Sequence, residues 1–338
     1  MRKRRILLAA VGLAVVLFLL PRPEQPEPFV QSHLAMSTVA TVKLYLDEER
    51  ARPLVAQAFA EIDRLDSLMS RHSPASEISW INREAARSAV TCTPEMAQVL
   101  ARSQELAHRS TGAFDITIGP VSRLWNFPQA QAPPPAGQLD SALALVGYAG
   151  LQVDGQQVRF LRSGLYLDLG GVAKGFAVDR AAALLQQSGV ACGLVDLGGN
   201  IRFWGSKPDG AAWRMGVQHP RDRVRVIEVE DIGLPALATS GDYEQFCEYQ
   251  GQRFHHLLDP ATGYPARRAV GATVWTETAM DADILSTTVF VLGPERGLAL
   301  VEELPRTEAL VFFERDGRLE HRTSRGLSGR VRVERAEP

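Results

Sequence analysis

Cysteine is scarce in this chain of 338 residues. Only Cys92, Cys192 and Cys247 are present, and no two of them are spaced as C-x-x-C. This content excludes a disulfide scaffold and gives no zinc-binding pattern. It is compatible with one disulfide or with three buried thiols, and we favour the thiols because free cysteine is usually buried.

The chain also lacks a strong charge of either sign and shows no internal repeat. Its formal net charge is -2, with 22% charged and 45% hydrophobic residues. A nearly neutral protein has no general electrostatic attraction for nucleic acid, so we expect no nucleic-acid partner. An anionic ligand must therefore be held by a local site. The ordinary composition can bury a sizeable core.

The N-terminus has the pattern of an export segment. A basic cluster at residues 2–5 precedes an uncharged apolar run at 6–20, and this order is typical of export signals. The run is short for a membrane-spanning helix, which needs about 20 residues and at least about 17. Residues 21–23 offer no small-x-small cleavage site, and no cysteine follows for lipid attachment. We favour an uncleaved anchor over a cleaved signal peptide, with the basic end in the cytoplasm.

Beyond this segment, the chain is predicted to form a short tether and one globular domain. Residues 21–31 are rich in proline, which favours an extended tether. No linker is visible within residues 32–335, so we interpret them as a single domain. Strands and helices alternate there without regular βαβ units. The pattern therefore predicts an α+β fold with a mixed or antiparallel sheet and flanking helices.

Hydrophobic spacing predicts the individual elements. Apolar residues recur every three or four positions from Leu54 to Met69, as in an amphipathic helix. Thr93-Pro94 is typical of a helix start, and Gly112 of a helix end. Asp154-Gly155 and Asp316-Gly317 predict hairpin turns. The other predictions are helices at 172–187 and 282–291, strands at 42–46, 190–197, 212–218, 224–230, 254–258, 271–276 and 308–314, and a surface loop at 128–138.

The segment from Leu167 to Asp179 is the richest candidate for a binding site. It predicts a strand that ends at Asp168, a turn with Gly170-Gly171, and a helix that carries Lys174. Glycine lets the backbone approach a ligand closely, and a helix N-terminus favours phosphate. The segment matches neither a Walker loop nor a Rossmann glycine pattern. Taken alone, it is more typical of a tight strand-to-helix connection.

Three further motifs contain small or titratable residues. Gly198-Gly199 predicts a turn or bulge after a strand, and residues 238–243 could present amides and hydroxyls to phosphate. His255-His256 invites a metal interpretation, but adjacent strand residues face opposite sides, so one metal ion rarely binds both. We expect His256 to lie in the site and His255 to face outward.

Two acidic positions complete the set. In a helix, Asp283 and Thr287 lie four residues apart on one face, which forms half of a hard-oxygen site suited to magnesium. A helix-dipole role for Asp283 is the alternative. Asp115 lies between apolar residues after a helix end, which predicts a strand with an inward acid.

The order of these motifs resembles the ApbE family of FAD:protein FMN transferases. The resemblance covers roughly residues 32–315. The matching motifs, in chain order, are Met36-Ser37-Thr38, G-A-F-D-I-T-I-G-P at 112–120, D-L-G-G-V-A-K-G at 168–175, L-G-G-N at 197–200, A-T-S-G-D-Y at 238–243, H-H-L-L-D-P-A-T-G at 255–263 and D-A-D-I-L-S-T-T at 281–288.

This resemblance implies an activity. Members bind FAD in a cleft, use Mg²⁺ to polarise its diphosphate, and transfer FMN to a threonine of an acceptor protein with release of AMP. Acceptors are typically subunits of membrane respiratory complexes. Because the basic N-terminal cluster is expected to stay in the cytoplasm, we expect the rest of the chain at the periplasmic face of the inner membrane. An FAD pyrophosphatase that gives FMN and AMP, and a non-catalytic flavin-binding protein, are the alternatives.

The resemblance also implies roles for particular residues. His72 stands where relatives often carry an aromatic side chain that stacks on the flavin, so the stacking role is open. The general base is either Asp283 or His256. The expected FAD-site residues are Met36, His72, Ala113, Phe114, Asp115, Asp168, Lys174, His256, Leu257 and Leu258. The expected Mg²⁺ ligands are the carbonyl of Gly171 and the side chains of Asp283 and Thr287.

Overall fold

A computed structural model describes residues 27–127, 129–230 and 232–332. The predicted anchor at 1–20 and most of the predicted tether lie outside these residues. The first strand begins at Phe29, three residues before the predicted start of the globular domain. Residues 29–31 therefore belong to the sheet and not to the tether.

The helices within the described residues flank a set of mainly short strands. In chain order they are α1 (Glu48–Met69), α2 (Glu77–Glu84), α3 (Pro94–Arg109), α4 (Gly119–Trp125), α5 (Ala136–Leu143), α6 (Ala173–Gln187) and α7 (Ala279–Glu302). The strands are β1 (Phe29–Ala35), β2 (Thr38–Leu44), β3 (Val90–Thr91), β4 (Leu151–Asp154), β5 (Gln157–Phe160), β6 (Gly193–Leu197), β7 (Asn200–Trp204), β8 (Met215–His219), β9 (Asp222–Val229), β10 (Ala236–Gly241), β11 (Phe246–Tyr249), β12 (Gln252–His255), β13 (Gly271–Thr276), β14 (Glu308–Arg315), β15 (Arg318–Thr323) and β16 (Val331–Arg332).

An eight-stranded antiparallel sheet is the centre of the fold. Its strand order is β1-β2-β6-β7-β10-β13-β14-β15, and each neighbouring pair is antiparallel. The prediction of an α+β fold with a mixed or antiparallel sheet is therefore confirmed, and the sheet is antiparallel. The β1–β2 turn, the β6–β7 turn and the end of β10 lie at the same end of the sheet, because Ala40 pairs with Leu197 and Ala238 with Asn200.

Helices α1, α6 and α7 pack against the sheet and enclose the main core. By length and composition alone, α7 could cross a membrane, but 67% of its most apolar window is buried inside the fold. It contacts β10, β13, β14 and α6, so its apolar composition reflects its central position. The helix continues to Glu302, beyond the predicted end at 291, after an interruption at Gly293 (φ 77°) and Pro294.

Two smaller units pack on apolar clusters outside the main core. A three-stranded sheet in the order β16-β9-β8 packs on a second apolar cluster that includes Trp213 and Trp275. The β11–β12 hairpin packs near α4 and α5, where the ring centroids of Trp125 and Phe254 lie 5.6 Å apart. This second contact places the segment that follows β12 beside the Gly119–Trp125 helix.

Several local predictions are confirmed. The Thr93 side chain accepts a hydrogen bond from the Met96 N–H and caps α3, which is the usual role of an N-cap threonine. Gly112 (φ 81°) closes the same helix, and its N–H donates to the Ala107 carbonyl at 2.8 Å. Both predicted hairpins form, at Asp154-Gly155 and at Asp316-Gly317.

Other local predictions are wrong. The predicted loop at 128–138 includes the start of α5, because the buried side chain of Leu139 packs with Val121 and Trp125 once the chain folds. All three cysteines are free, as favoured, but Cys247 is only partly buried. Strand β12 ends at His255, before the predicted end at 258.

Candidate active site

A cavity of about 510 Å³ lies at the end of the sheet where the β1–β2 and β6–β7 turns meet the end of β10. Helices α6 and α7 close its inner side. All the residues predicted for the site line this cavity: Met36, His72, Ala113, Phe114, Asp115, Asp168, Gly171, Lys174, His256, Leu257, Leu258, Asp283 and Thr287. Folding therefore brings together motifs that are widely separated along the chain.

The β1–β2 turn forms one wall with a constrained backbone. Met36 (φ 47°) and Ser37 (φ 61°) both adopt left-handed conformations, which are rare for residues other than glycine. The Met36 N–H donates to Asp66 Oδ2 on α1 at 3.1 Å. Strained backbone of this kind is common at ligand sites, and Asp66 holds the turn against the cavity.

Asp168 is fixed by three donors at the base of the glycine turn. Ser122 Oγ donates to Asp168 Oδ2 at 2.6 Å, and the Gly170 N–H donates to Oδ1 at 3.0 Å. Arg71 Nε forms an ion pair with Oδ2 at 3.0 Å. The predicted turn at Gly170-Gly171 and the helix that carries Lys174 are present, but the predicted strand is not, because only an isolated bridge at Tyr166 precedes the turn. The Asp168 carboxylate is held in one orientation.

Asp115 is buried, and both of its oxygens are engaged by the protein. Oδ1 accepts hydrogen bonds from the N–H and the hydroxyl of Thr117 at 2.8 and 2.7 Å, and Oδ2 accepts from the Tyr148 N–H at 2.8 Å. Burial raises the pKa of Asp115, and these hydrogen bonds act in the opposite direction. The carboxylate therefore supports the cavity wall, which limits its direct role in binding.

Asp283 lies where α6 and α7 cross. The Gly175 N–H, in the first turn of α6, donates to Asp283 Oδ2 at 2.9 Å. Lys174 Nζ donates to the Gly170 carbonyl at 3.1 Å and lies 3.8 Å from Asp283 Oδ1. Burial raises the pKa of Asp283, while the Lys174 ammonium and the Gly175 N–H lower it. Oδ1 therefore remains open toward the cavity.

These residues fit a divalent cation that binds only a few protein ligands. Thr287 Oγ1 lies 3.4 Å from the point where a side chain at Gly171 would begin, so the Gly171 backbone is adjacent to the Thr287 hydroxyl. In the parts of the chain that the structure describes, no group of three or more His, Cys, Asp or Glu side chains could hold a metal. Magnesium commonly completes its shell with water and substrate phosphates, so a partial site of hard oxygens is suitable.

As predicted, His256 lines the cavity, and its side chain is half-buried there. Its backbone N–H donates to the Gln245 carbonyl at 3.0 Å, and its Nδ1 lies 3.3 Å from the same oxygen. Because that oxygen can only accept, Nδ1 carries the proton and Nε2 is left as an acceptor. Burial lowers the pKa of His256 to about 4, so the ring is neutral at pH 7.

The sequence model of the ApbE family matches residues 36–311. The chain belongs to the ApbE family. Among its relatives, it is 33% identical to the FAD:protein FMN transferase of Vibrio cholerae serotype O1 over 310 residues, which span 88% of this chain and 92% of the relative. It is 31% identical to the FAD:protein FMN transferase of Escherichia coli K12 over 320 residues, 89% and 90% of the two chains.

Solved structures of ApbE proteins show the same fold. The flavinyl transferase ApbE of Pseudomonas stutzeri, in its apo form, superposes with a TM-score of 0.81 at 29% identity, over 92% of this chain and 98% of that one. The flavin transferase ApbE of Vibrio cholerae gives a TM-score of 0.80 at 29% identity, over 90% and 99% of the chains. The central sheet and its helices are thus those of the ApbE family.

Sequence reasoning missed the residues that hold the ApbE site in place. Arg71 and Ser122 fix Asp168, and Asp66 fixes the turn at Met36. Arg71 directly precedes His72 in the chain, which is the one sequence signal that could have drawn attention to it. Asp66 and Ser122 lie within helical patterns that look ordinary, and only their contacts identify them.

His255 departs from prediction because it faces away from the cavity but is not exposed. Its Nε2 donates to the Ala266 carbonyl at 2.8 Å, and its ring meets Phe290 edge-on at 5.4 Å. Burial lowers the pKa of His255 to about 4. The first histidine of the motif is therefore part of the interior of the fold.

His255 makes stability depend on pH. An unfolded histidine titrates near 6.5, so between about pH 6.5 and 4 the unfolded chain binds a proton that the folded chain excludes. We expect the free energy of unfolding to fall as pH drops through this window. His255→Gln should lose less stability than wild type over the same window, as measured by urea denaturation at several pH values. Parallel curves for the two proteins would contradict this assignment.

Proposed function

We propose that this chain is an FAD:protein FMN transferase. It cleaves FAD, joins the FMN half to a threonine of an acceptor protein through a phosphoester bond, and releases AMP. The main observation behind the proposal is that Lys174, Asp283 and Thr287 lie together at one wall of the cavity. The relatives of this chain are named as FAD:protein FMN transferases, which supports the same activity.

The reaction needs little covalent chemistry from the protein. The threonine oxygen attacks the phosphorus on the FMN side, the bond to the bridging oxygen breaks, and AMP leaves with the electron pair. Transfer of this kind depends mainly on alignment and on neutralisation of phosphate charge. A bound Mg²⁺ supplies Lewis acidity at the diphosphate, and we assign it to the Gly171 carbonyl, Asp283 and Thr287.

The chain's own groups provide the rest of the charge compensation. Lys174 lies in the first turn of α6, where the ammonium group and the helix N-terminus both favour an anion. Its contact with the Gly170 carbonyl fixes the ammonium at the glycine turn. The diphosphate of FAD is expected at this position, between the turn and Asp283.

We infer that His256 is the general base. At neutral pH its ring is uncharged, because burial lowers its pKa to about 4, and Nε2 is free to accept a proton. Asp283 is the weaker candidate because Oδ2 already accepts the Gly175 N–H and Oδ1 is assigned to the metal. The acceptor hydroxyl can then pass its proton to Nε2 as the oxygen attacks.

A direct assay distinguishes the transferase from the two alternatives. Purified full-length protein is incubated with FAD, Mg²⁺ and a candidate acceptor. Fluorescent flavin that stays on the acceptor in a denaturing gel supports transfer. Release of FMN and AMP without labelled acceptor supports an FAD pyrophosphatase, and unchanged FAD supports a non-catalytic flavin-binding protein.

Lys174→Ala is expected to weaken FAD binding more than riboflavin binding. The ammonium contacts phosphate, which riboflavin lacks, so the loss should be specific to the phosphorylated ligand. Fluorescence titrations of both ligands measure the two effects, with Lys43→Ala as a control because Lys43 lies outside the cavity lining. Equal losses for FAD and riboflavin would argue against the phosphate contact.

We also propose where the transferase works. Residues 1–20 act as an anchor, residues 21–28 form the tether, and residues 29–335, which begin with the first strand of the sheet, form the catalytic domain at the periplasmic face of the inner membrane. The acceptor is then a subunit of a membrane respiratory complex. The basic and apolar order of the N-terminus supports this location. Comparing flavin-labelled membrane proteins in cells with and without this chain tests both points.

A further inference from the structure

Thr287 is part of a chain of hydroxyl groups that links β10 to α7. Its Oγ1 lies 3.3 Å from Ser240 Oγ, and Ser240 Oγ lies 2.9 Å from Ser286 Oγ. Ser286 Oγ in turn donates to the Asp283 carbonyl at 3.0 Å. Ser240 and Ser286 are buried, whereas Thr287 is partly exposed and lines the cavity.

The directions of these hydrogen bonds follow from counting hydrogens. Each hydroxyl has one hydrogen to donate, and Ser286 gives its hydrogen to the Asp283 carbonyl, which can only accept. Ser240 must therefore donate to Ser286, and Thr287 must donate to Ser240. The hydrogen of Thr287 then points away from the cavity, and its lone pairs point toward it.

The neighbouring threonine shows that this arrangement is not the default in a helix. Thr288 Oγ1 donates to the carbonyl four residues earlier, that of Ile284, at 2.8 Å, which is the usual behaviour of helical threonine. For Thr287 the corresponding carbonyl is that of Asp283, and Ser286 already occupies it. Within the described residues, Thr287 Oγ1 hydrogen-bonds Ser240 and not this carbonyl.

We propose that Ser240 is a positioning residue for the metal-binding oxygen of Thr287, with Ser286 as the next member of the relay. A cation needs a lone pair, and a hydroxyl whose hydrogen faces the cation is repelled by it. Groups that orient metal ligands in this way commonly change affinity by about 10- to 100-fold when removed. The proposal rests on the magnesium site of the proposed function, and it concerns residues that this site does not itself contain.

Two substitutions break the relay at different points. Ser240→Ala removes the acceptor of the Thr287 hydrogen. Ser286→Ala removes the acceptor of the Ser240 hydrogen, so that Ser240 can donate to Thr287 and turn the Thr287 hydrogen toward the cavity. Ser286 does not line the cavity, and alanine is favourable in a helix, so this variant is expected to fold even where Ser240→Ala does not.

Thr288→Val is the matched control, because it removes a buried hydroxyl from the same helix outside the relay. Mn²⁺ is titrated into each full-length protein, and free Mn²⁺ is read by electron paramagnetic resonance. We expect about 10-fold weaker Mn²⁺ binding in both serine variants and less than twofold change in the control. Binding of FAD without metal should stay within twofold of wild type in Ser286→Ala and Thr288→Val, because neither residue lines the cavity.

Steady-state kinetics supply a second readout. The Mg²⁺ concentration for half-maximal FAD cleavage should rise in both serine variants, while kcat at saturating Mg²⁺ recovers. Mn²⁺ affinities within twofold of wild type in both variants would overturn the positioning role. If Asp283→Ala abolishes Mn²⁺ binding in that case, the proposed metal site still stands. If Asp283→Ala also leaves Mn²⁺ binding intact, the metal site itself is wrong.

Discussion

Asp283→Ala is expected to lower Mg²⁺-dependent FAD cleavage by at least about 100-fold, in line with the loss of other charge-stabilising contacts in active sites. Asp283 is buried beside Lys174 and accepts the Gly175 N–H. Alanine therefore removes the proposed metal ligand and leaves both of these groups without their contact to the carboxylate. AMP release, measured across a range of Mg²⁺ concentrations, gives the result.

Asp283→Asn separates charge from shape. The amide oxygen can still accept the Gly175 N–H, so the contact between α6 and α7 is retained, but the negative charge that attracts the cation is lost. We expect asparagine to preserve stability better than alanine while cleavage stays low. Cleavage within about twofold of wild type in either variant would refute the metal assignment.

Asp281→Asn provides the control for charge on the same helix. Asp281 lies in the first turn of α7, pairs with Arg102 at 2.7 Å and does not line the cavity. Its substitution should leave the Mg²⁺ dependence of cleavage unchanged. A similar loss in this variant would mean that helix electrostatics, rather than metal binding, explains the effect of Asp283.

Gly175→Ala is expected to destabilise the protein by about 1–3 kcal/mol or more, which is the usual cost of overpacking a rigid contact. A Cβ at Gly175 would lie 2.2 Å from the Ala279 carbonyl oxygen and 2.8 Å from Asp283 Cβ. The first neighbour is a backbone atom and the second is the first atom of a side chain, so neither can rotate away from the added methyl group. Helices α6 and α7 must separate, which moves Lys174 relative to Asp283.

A substitution at a second helical glycine, Gly137, is the control for the effect of Gly175→Ala on stability. No atom lies within 4 Å of a Cβ built at Gly137 in α5, so Gly137→Ala should be neutral or stabilising, by up to about 1 kcal/mol. Urea denaturation measures both stabilities, and AMP release measures activity. Equal stability of the two variants would show that the α6–α7 crossing tolerates a methyl group.

The sequence predicted much of the site because its motifs encode local geometry. Asp283 and Thr287 lie on one helix face at any placement of that helix, since a spacing of four residues fixes it. The turn at Gly170-Gly171 likewise brings Lys174 near Asp168 without help from distant parts of the chain. The predicted elements were wrong where contacts between distant parts of the chain determine the structure. The predicted loop at 128–138 includes the start of α5, because Leu139 packs with apolar residues of α4.

The order of seven motifs by itself indicated the family, and the resemblance to that family gave the residues that line the cavity. The pattern of strands and helices predicted an α+β fold with a mixed or antiparallel sheet, because such elements follow from spacing within short segments. Only the tertiary structure decided which groups hold those residues: Arg71 on Asp168, Asp66 on Met36, and Ser240 on Thr287. Each of these contacts joins segments that are remote in sequence. A local sequence pattern gives no information about distances between such segments. The hydrogen bonds and the ion pair form only after the sheet and helices have packed.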